Sequence, residues 1–261
     1  MRWLIFPLFS FYLFGAVHYA KVEPINRYTI KSAATGKVVW SAQEKEGKVV
    51  NGVIVKIDSK IDKKELQNSL KTKEITKKSL TLAKELLPLL RENFQRQKRY
   101  FERLSSLDSS SQNQKDLAFG AMVSAKNQLI STRDKILNLQ KQLSDIDFKI
   151  AMLRDRIEKK SIKVKNLYLY KLFVKRDDFV NLGRALAIVD DLSRAKVTIY
   201  LSKEELEHLN SSSIYIQGKK TNLKFSKVWK ETDEKFVSSY RAEIILEPKY
   251  KFSSLIKVEI K

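Results

Sequence analysis

The hydrophobic rhythm of the chain changes three times. After a short basic start, Met1-Arg2, the run Trp3 to Val17 is apolar apart from Ser10, and polar chain begins at Lys21. This is the layout of a secretory leader. It is shorter than the roughly 20 apolar residues that a spanning helix needs. Ala20 offers a small residue at a cut, but His18 stands where a second small residue is expected. Cleavage after Ala20 and retention as an inner-membrane anchor therefore both stay open. In either case the rest of the chain is exported.

The middle of the chain has a seven-residue period. Asp62 to Lys160 contains one glycine, Gly120, and one proline, Pro88. Met122, Leu129, Ile136, Leu143, Ile150 and Ile157 recur every seven residues, and Ala125, Thr132, Leu139, Ile146 and Leu153 follow the first five of them by three. That is an a/d seam, and its g positions Gln128, Lys135, Gln142, Lys149 and Arg156 are polar. Upstream, Leu66, Leu80, Leu87, Phe94 and Phe101 share one heptad position, interrupted by Lys73. Ala83, Leu90 and Leu104 share the other, interrupted by Ser69, Thr76 and Gln97. Pro88 should kink or fracture this first arm. Between the arms, Ser105 to Asn113 is rich in Ser, Asp and Asn, which favour turns and caps over helix interiors. The spacing predicts an antiparallel helical hairpin with arms about 70 Å long at 1.5 Å per residue. Taken alone, such a hairpin specifies pairing and length and no function.

The flanks alternate with period two. Arg27 to Lys31, Gly36 to Trp40 and Val53 to Ile57 precede the hairpin; Leu167 to Val174 and Ala185 to Val189 follow it, separated by the turn signals Asp177-Asp178 and Asn181-Leu182-Gly183. Neither flank can close a core alone, so the two are expected to fold together across the hairpin. Beyond them lie strands over Val197 to Leu201, Ile214 to Ile216, Leu223 to Trp229, Ala242 to Leu246 and Ile256 to Ile260. A capping box, Ser202-Lys203-Glu204-Glu205, opens a short helix through His208. This set suggests a small β-barrel.

Composition narrows the chemistry. The 261 residues hold no cysteine, so disulfides, thiolate metal sites and cysteine nucleophiles are excluded. Only His18 and His208 are present, and no paired carboxylates or glycine-rich phosphate loop stand out, which argues against an enzyme. The formal net charge of +21 suits an anionic membrane surface, an acidic protein or simple solvation. Export removes nucleic acid from the partners.

The order of these segments resembles the HlyD-type membrane fusion proteins, periplasmic adaptors of tripartite export systems. Their V-x-x-G-D-x-V-x-x-G pattern reads here as Val174-Lys175-Arg176-Asp177-Asp178-Phe179-Val180-Asn181-Leu182-Gly183, with Asp177 in place of the first glycine. Leu186-Ala187-Ile188-Val189-Asp190 matches the strand that leads into the barrel. Gly36, Gly47 and Gly52 would be the turn glycines of the first half, with Gly47 to Gly52 one residue shorter than the usual spacing. At the hairpin tip, adaptors that dock on TolC-like channels carry R-x3-L-x6-S. Leu104 and Ser111 fit, Tyr100 occupies the arginine position, and Arg99 and Arg103 flank it.

The resemblance implies an α+β chain: a long antiparallel coiled-coil hairpin inserted into a lipoyl-like β-sandwich, followed by a small β-barrel. Its segments would be a signal peptide or anchor over 1–20, a first lipoyl-like half with a preceding barrel strand over 21–58, and the hairpin over 59–163 with its tip near 105–113. A second lipoyl-like half over 164–190 and the barrel over 191–261 would follow. The chain stops at Lys261 soon after the last strand, which leaves little for a membrane-proximal domain. The implied partners are a TolC-like outer-membrane channel, an inner-membrane transporter of RND or ABC type, and further copies of the chain in a ring, a hexamer or a trimer of dimers. Docking would fall to Tyr100, Arg103, Leu104 and Ser111, and pairing to the seam through Leu87, Phe94, Phe101, Leu129, Ile136, Leu143 and Ile150. No cofactor is implied: the helical arm replaces the hairpin that carries the lysine of true lipoyl proteins. With only Met1, Met122 and Met152, a dedicated copper or silver site has little to be built from. The alternative reading is an exported coiled-coil scaffold or tether with no transport role.

Overall fold

The computed structural model describes residues 16–209 and 212–261, so most of the apolar leader lies outside the described residues. The order of elements is β1 (Ala16–Lys21), β2 (Glu23–Lys31), β3 (Gly36–Ser41), β4 (Val49–Ile57), α1 (Lys60–Ser105), α2 (Gln112–Lys159), β5 (Ser161–Leu172) and β6 (Phe179–Val180). Then come β7 (Ala185–Leu201), α3 (Lys203–Glu207), β8 (Ile214–Ile216), β9 (Lys219–Lys220), β10 (Phe225–Thr232), β11 (Tyr240–Leu246) and β12 (Leu255–Ile260). The chain is thus α+β, and it divides into two compact units, a β unit from both flanks and a helical unit over Ile57–Ser161.

The helical unit is an antiparallel pair. Every predicted seam position of α2 from Met122 to Ile157 is buried or half-buried. The α1 positions behave alike, including those that the sequence read as interruptions. Ser69 and Thr76 are buried, with Thr76 Oγ1 donating to the Thr72 carbonyl at 2.9 Å, and Lys73 reaches Asp147 at 2.5 Å. Small and polar residues therefore continue the seam. The predicted fracture at Pro88 does not occur, since α1 runs unbroken from Lys60 to Ser105. Pro88 sits on an exposed position, and so does Lys84, whose carbonyl it leaves without a helical donor, so water can take the place of the missing bond. Near the helix ends away from the tip, Asp62 is buried between Lys160 (2.6 Å) and Arg156 (3.4 Å). Burial alone would raise its carboxyl, yet hydrogen bonds and charge from Lys160 and Arg156 hold it below the ordinary carboxylate value.

The β unit joins the two flanks as expected. Val38 N–H donates to the Asp178 carbonyl and Asp177 N–H to the Val38 carbonyl, both at 2.8 Å, while Gly47 N–H and Leu169 N–H bond across to Leu169 and Lys48 at 2.9 Å. An eight-stranded sheet runs β10-β11-β7-β5-β4-β3-β6, with β2 also pairing β7. A second, four-stranded sheet runs β1-β12-β8-β9.

Ala16–Lys21, at the end of the stretch that the sequence reads as leader, forms a strand paired in register from Ala16↔Ile260 to Lys21↔Leu255, with Ala20 buried in the core and His18 Nε2 2.7 Å from Glu205 Oε1. One expectation is corrected here: the small β-barrel is not closed. Its strands fall into two sheets over one core of Val22, Val197, Ile199, Leu201, Ile244, Val258 and neighbours. β7, 17 residues long, does not stop at Asp190-Asp191 but runs on to Leu201 and carries the first module's sheet onward. The buried Asp190 is tolerated in mid-strand because Arg27 of β2 donates to both its oxygens, at 2.7 and 2.8 Å.

The turn glycines Gly36, Gly47, Gly52 and Gly183 all have positive φ. So does Asp177, at φ 76°, in the place where the resembling pattern has glycine. Aspartate tolerates the left-handed region better than other side chains, and here Lys37 holds its carboxylate at 2.8 Å. The turn therefore keeps a glycine-like backbone without the glycine.

Candidate docking interface at the hairpin tip

The tip is short and locally determined. The α1 helix ends as Ser106 N–H bonds back to the Glu102 carbonyl, and Leu107 N–H and Ser110 N–H close two turns at 3.3 Å. Ser111 then starts α2 as its N-cap. Its hydroxyl accepts from Gln114 N–H at 3.3 Å, and Gln114 Oε1 accepts from Ser111 N–H at 3.1 Å. This reciprocal box satisfies two amides that would otherwise lack partners. Gln114 was not among the expected tip residues, although Ser-x-x-Gln ahead of a helix is a readable signature.

The four expected docking residues are not equivalent. Leu104 is half-buried, one seam position beyond Phe101, whose ring meets that of Phe119 at 5.4 Å and 57°. Tyr100 and Arg103 are exposed. Ser111 has its hydroxyl engaged in the cap, so its first role is to begin α2. Arg99 and Arg103 line one shallow cavity of about 600 Å³, together with Arg96, Glu102 and Ser106. Arg96, Arg99 and Arg103 follow at helical spacing on α1, with Tyr100 next to Arg99. Leu107, Leu117 and Phe119 are exposed beside them, which gives the tip an apolar surface next to a basic one.

Further from the tip, each flank of the hairpin carries its own apolar stripe. The Glu65–Lys149 pair, at 2.8 Å, sets the g positions of both helices on one side. Ile75, Leu82, Leu86 and Leu89 of α1 occupy g and c positions on that side, and Val123, Ile130 and Leu137 of α2 occupy b positions on the other. Leu82 is 65% exposed and Leu137 is 64% exposed. Stepping from the Phe101–Phe119 and Lys73–Asp147 contacts, one residue back on α1 for one forward on α2, places Leu82 within one residue of Leu137 and Leu89 within one residue of Ile130. Among the described residues no three His, Asp or Glu side chains converge to hold a metal ion.

No family model and no curated protein matches this chain. Solved structures do share its fold. MacA from Actinobacillus actinomycetemcomitans aligns with a TM-score of 0.72 at 16% identity, over 95% of this chain and 78% of that one. A MacA-MexA chimera containing the Pseudomonas aeruginosa MexA α-hairpin domain aligns at TM-score 0.51 and 14% identity, over 95% and 80%. The membrane fusion protein Spr0693 from Streptococcus pneumoniae R6 aligns at TM-score 0.51 and 12% identity, over 94% and 98%. The chain thus has the membrane fusion protein fold.

Proposed function

We propose that this chain is a periplasmic adaptor, a HlyD-type membrane fusion protein. It links an inner-membrane transporter of RND or ABC type to a TolC-like outer-membrane channel and does no covalent chemistry. The observation that carries the reading is the continuous two-helix hairpin inserted between two β halves that fold together, the arrangement shared with MacA and Spr0693. In this reading the hairpin of about 70 Å supplies reach. The tip packs against the channel's own helices, with Leu104 as a knob, Tyr100 and the Arg99–Arg103 surface beside it, and Ser111 holding the tip in shape.

The paired stripes support assembly of several copies. An apolar stripe on each flank at the same level lets one hairpin's Leu82–Leu89 edge meet the next hairpin's Ile130–Leu137 edge with no axial shift. A head-to-tail contact with no rise along the hairpin favours a ring over a helical filament.

The test is Leu104→Asp in the host cell, read as export or drug sensitivity, with circular dichroism of the purified variant. Loss of export with intact helicity is expected. Normal export with intact helicity would count against docking and favour a tether with no transport role.

A further inference from the structure

The outer face of the small sheet has a composition that neither the docking tip nor the flank stripes use. In β1 and β12, Tyr19 stands opposite Lys257, Lys21 opposite Leu255, and Val17 opposite Glu259, which in turn stands opposite Tyr215 of β8. Residues directly opposite share a face. The other face holds Ala20, Ile214, Ile216, Ile256, Val258 and Ile260 in the core. The outer face therefore carries large apolar groups in water: Tyr19 is 73% exposed and Leu255 69%, with Val17 beside them. It is also basic. Lys257 and Lys261 both pair with Glu259, Lys261 lies over the Tyr215 ring at 5.0 Å, Lys220 stands opposite Tyr215, and Lys21 sits at the edge. Four lysines thus share this face with Glu259, and Glu23 lies near Lys21 and Leu255 at its rim.

The position of this face in the chain says what covers it. The apolar run from Trp3 does not end in a linker. Its last apolar residue, Val17, is already an exposed member of the face. At about 3.4 Å per residue, Tyr19 lies roughly 10 Å along the strand from Ala16, the first described residue. An apolar segment that enters or rests on a bilayer brings this face to the headgroups. Exposed tyrosine and aliphatic side chains among lysines are what an anionic membrane surface accepts.

We propose that the outer face of the β1-β12-β8-β9 sheet lies on the headgroups of an anionic bilayer. Lys21, Lys220, Lys257 and Lys261 meet lipid phosphates, Tyr19 sits at headgroup level, and Val17 and Leu255 reach the acyl boundary. The proposal rests on the adaptor reading only for its setting at the inner membrane. Its test uses purified protein and vesicles, so failure here would leave tip docking untouched, and failure of the Leu104→Asp test would leave this face untouched.

The experiment uses the full chain. Because the chain has no cysteine, Tyr19→Cys and Phe148→Cys each accept one environment-sensitive dye. Vesicles of phosphatidylethanolamine with phosphatidylglycerol are compared with vesicles of phosphatidylcholine alone. The dye at position 19 should shift to the blue on anionic vesicles and the dye at 148 should not. Lys21→Glu and Lys220→Glu, which stand clear of the Glu259 cluster, should each weaken binding to anionic vesicles by at least about fivefold at low salt. Binding to phosphatidylcholine, which the leader supports, should not change. Equal affinity for both vesicle types would overturn the proposal. So would unchanged affinity of both variants, or an unshifted dye at 19 on chains that sediment with vesicles. A shift at 19 seen only when a membrane protein is reconstituted would also overturn it, in favour of a protein partner.

Discussion

Ile150→Ala in α2, set beside Phe148→Ala two residues away, separates a paired seam from a merely helical arm. Ile150 is 5% exposed and Phe148 69% exposed on the same helix. Removing the outer carbons of a buried isoleucine forfeits about 0.8 kcal/mol per methylene-sized group, and core Ile→Ala changes cost about 2 to 5 kcal/mol once the cavity is included. A two-helix layer is open along both edges, so neighbours and water can relax into the gap. The expected cost is accordingly at the low end, about 2 to 3 kcal/mol. Phe148→Ala leaves no cavity and gains about half a kcal/mol of helix propensity, so it should be neutral or slightly stabilising. The assay is urea unfolding followed by helical circular dichroism. With 46 and 48 residues in α1 and α2, that signal comes almost wholly from the hairpin and is read apart from the β unit. Equal midpoints for the two variants would refute the seam.

Other outcomes follow from the same geometry. The Asp62 carboxyl is held low, so its contribution to hairpin stability is complete above about pH 4 and is lost as pH falls through the lower folded value. Helix melts at pH 7 and at acid pH should show that loss in the parent and not in Asp62→Asn. Gly183→Ala should cost the β unit about 1 kcal/mol in thermal unfolding, because φ is +82° there although a methyl group would meet nothing within 4 Å. Asp177→Gly should keep the fold and Asp177→Val should lower the melting temperature, as expected of a left-handed turn position. Leu82→Cys with Leu137→Cys in one chain should give a ladder of disulfide-linked oligomers under oxidation, whereas either change alone should stop at a dimer. Ladders absent from the double variant would count against side-by-side hairpins.

The helical unit was legible because a seven-residue period is redundant: one buried face is stated many times along each arm, and single exceptions do not erase it. Lys73, Ser69 and Thr76 looked like failures of the pattern because composition does not show that Lys73 can reach Asp147 or that a threonine can bond back to its own helix. The β unit was legible in its strands and less so in their continuity. The sequence ends one strand at Val189 and begins the next at Val197, because nothing local shows that Arg27, far away in sequence, neutralises the buried Asp190 carboxylate. The strand at Ala16–Lys21 was not legible, because Ala, Val and Tyr suit a leader and a strand alike and its pairing with Leu255–Ile260 is far away in sequence. The turn between the helices was readable from its Ser, Asp and Asn; that Ser111 caps α2 and that Arg96, Arg99 and Arg103 line one cavity was not.

Docking at the tip is tested most directly by a photo-reactive phenylalanine analogue at position 100, where an exposed tyrosine already stands, with the same analogue at Phe148 as control. In living cells, a cross-link from position 100 to an outer-membrane channel and none from position 148 is the expected result. A folded chain whose tip captures no channel protein would contradict the adaptor function.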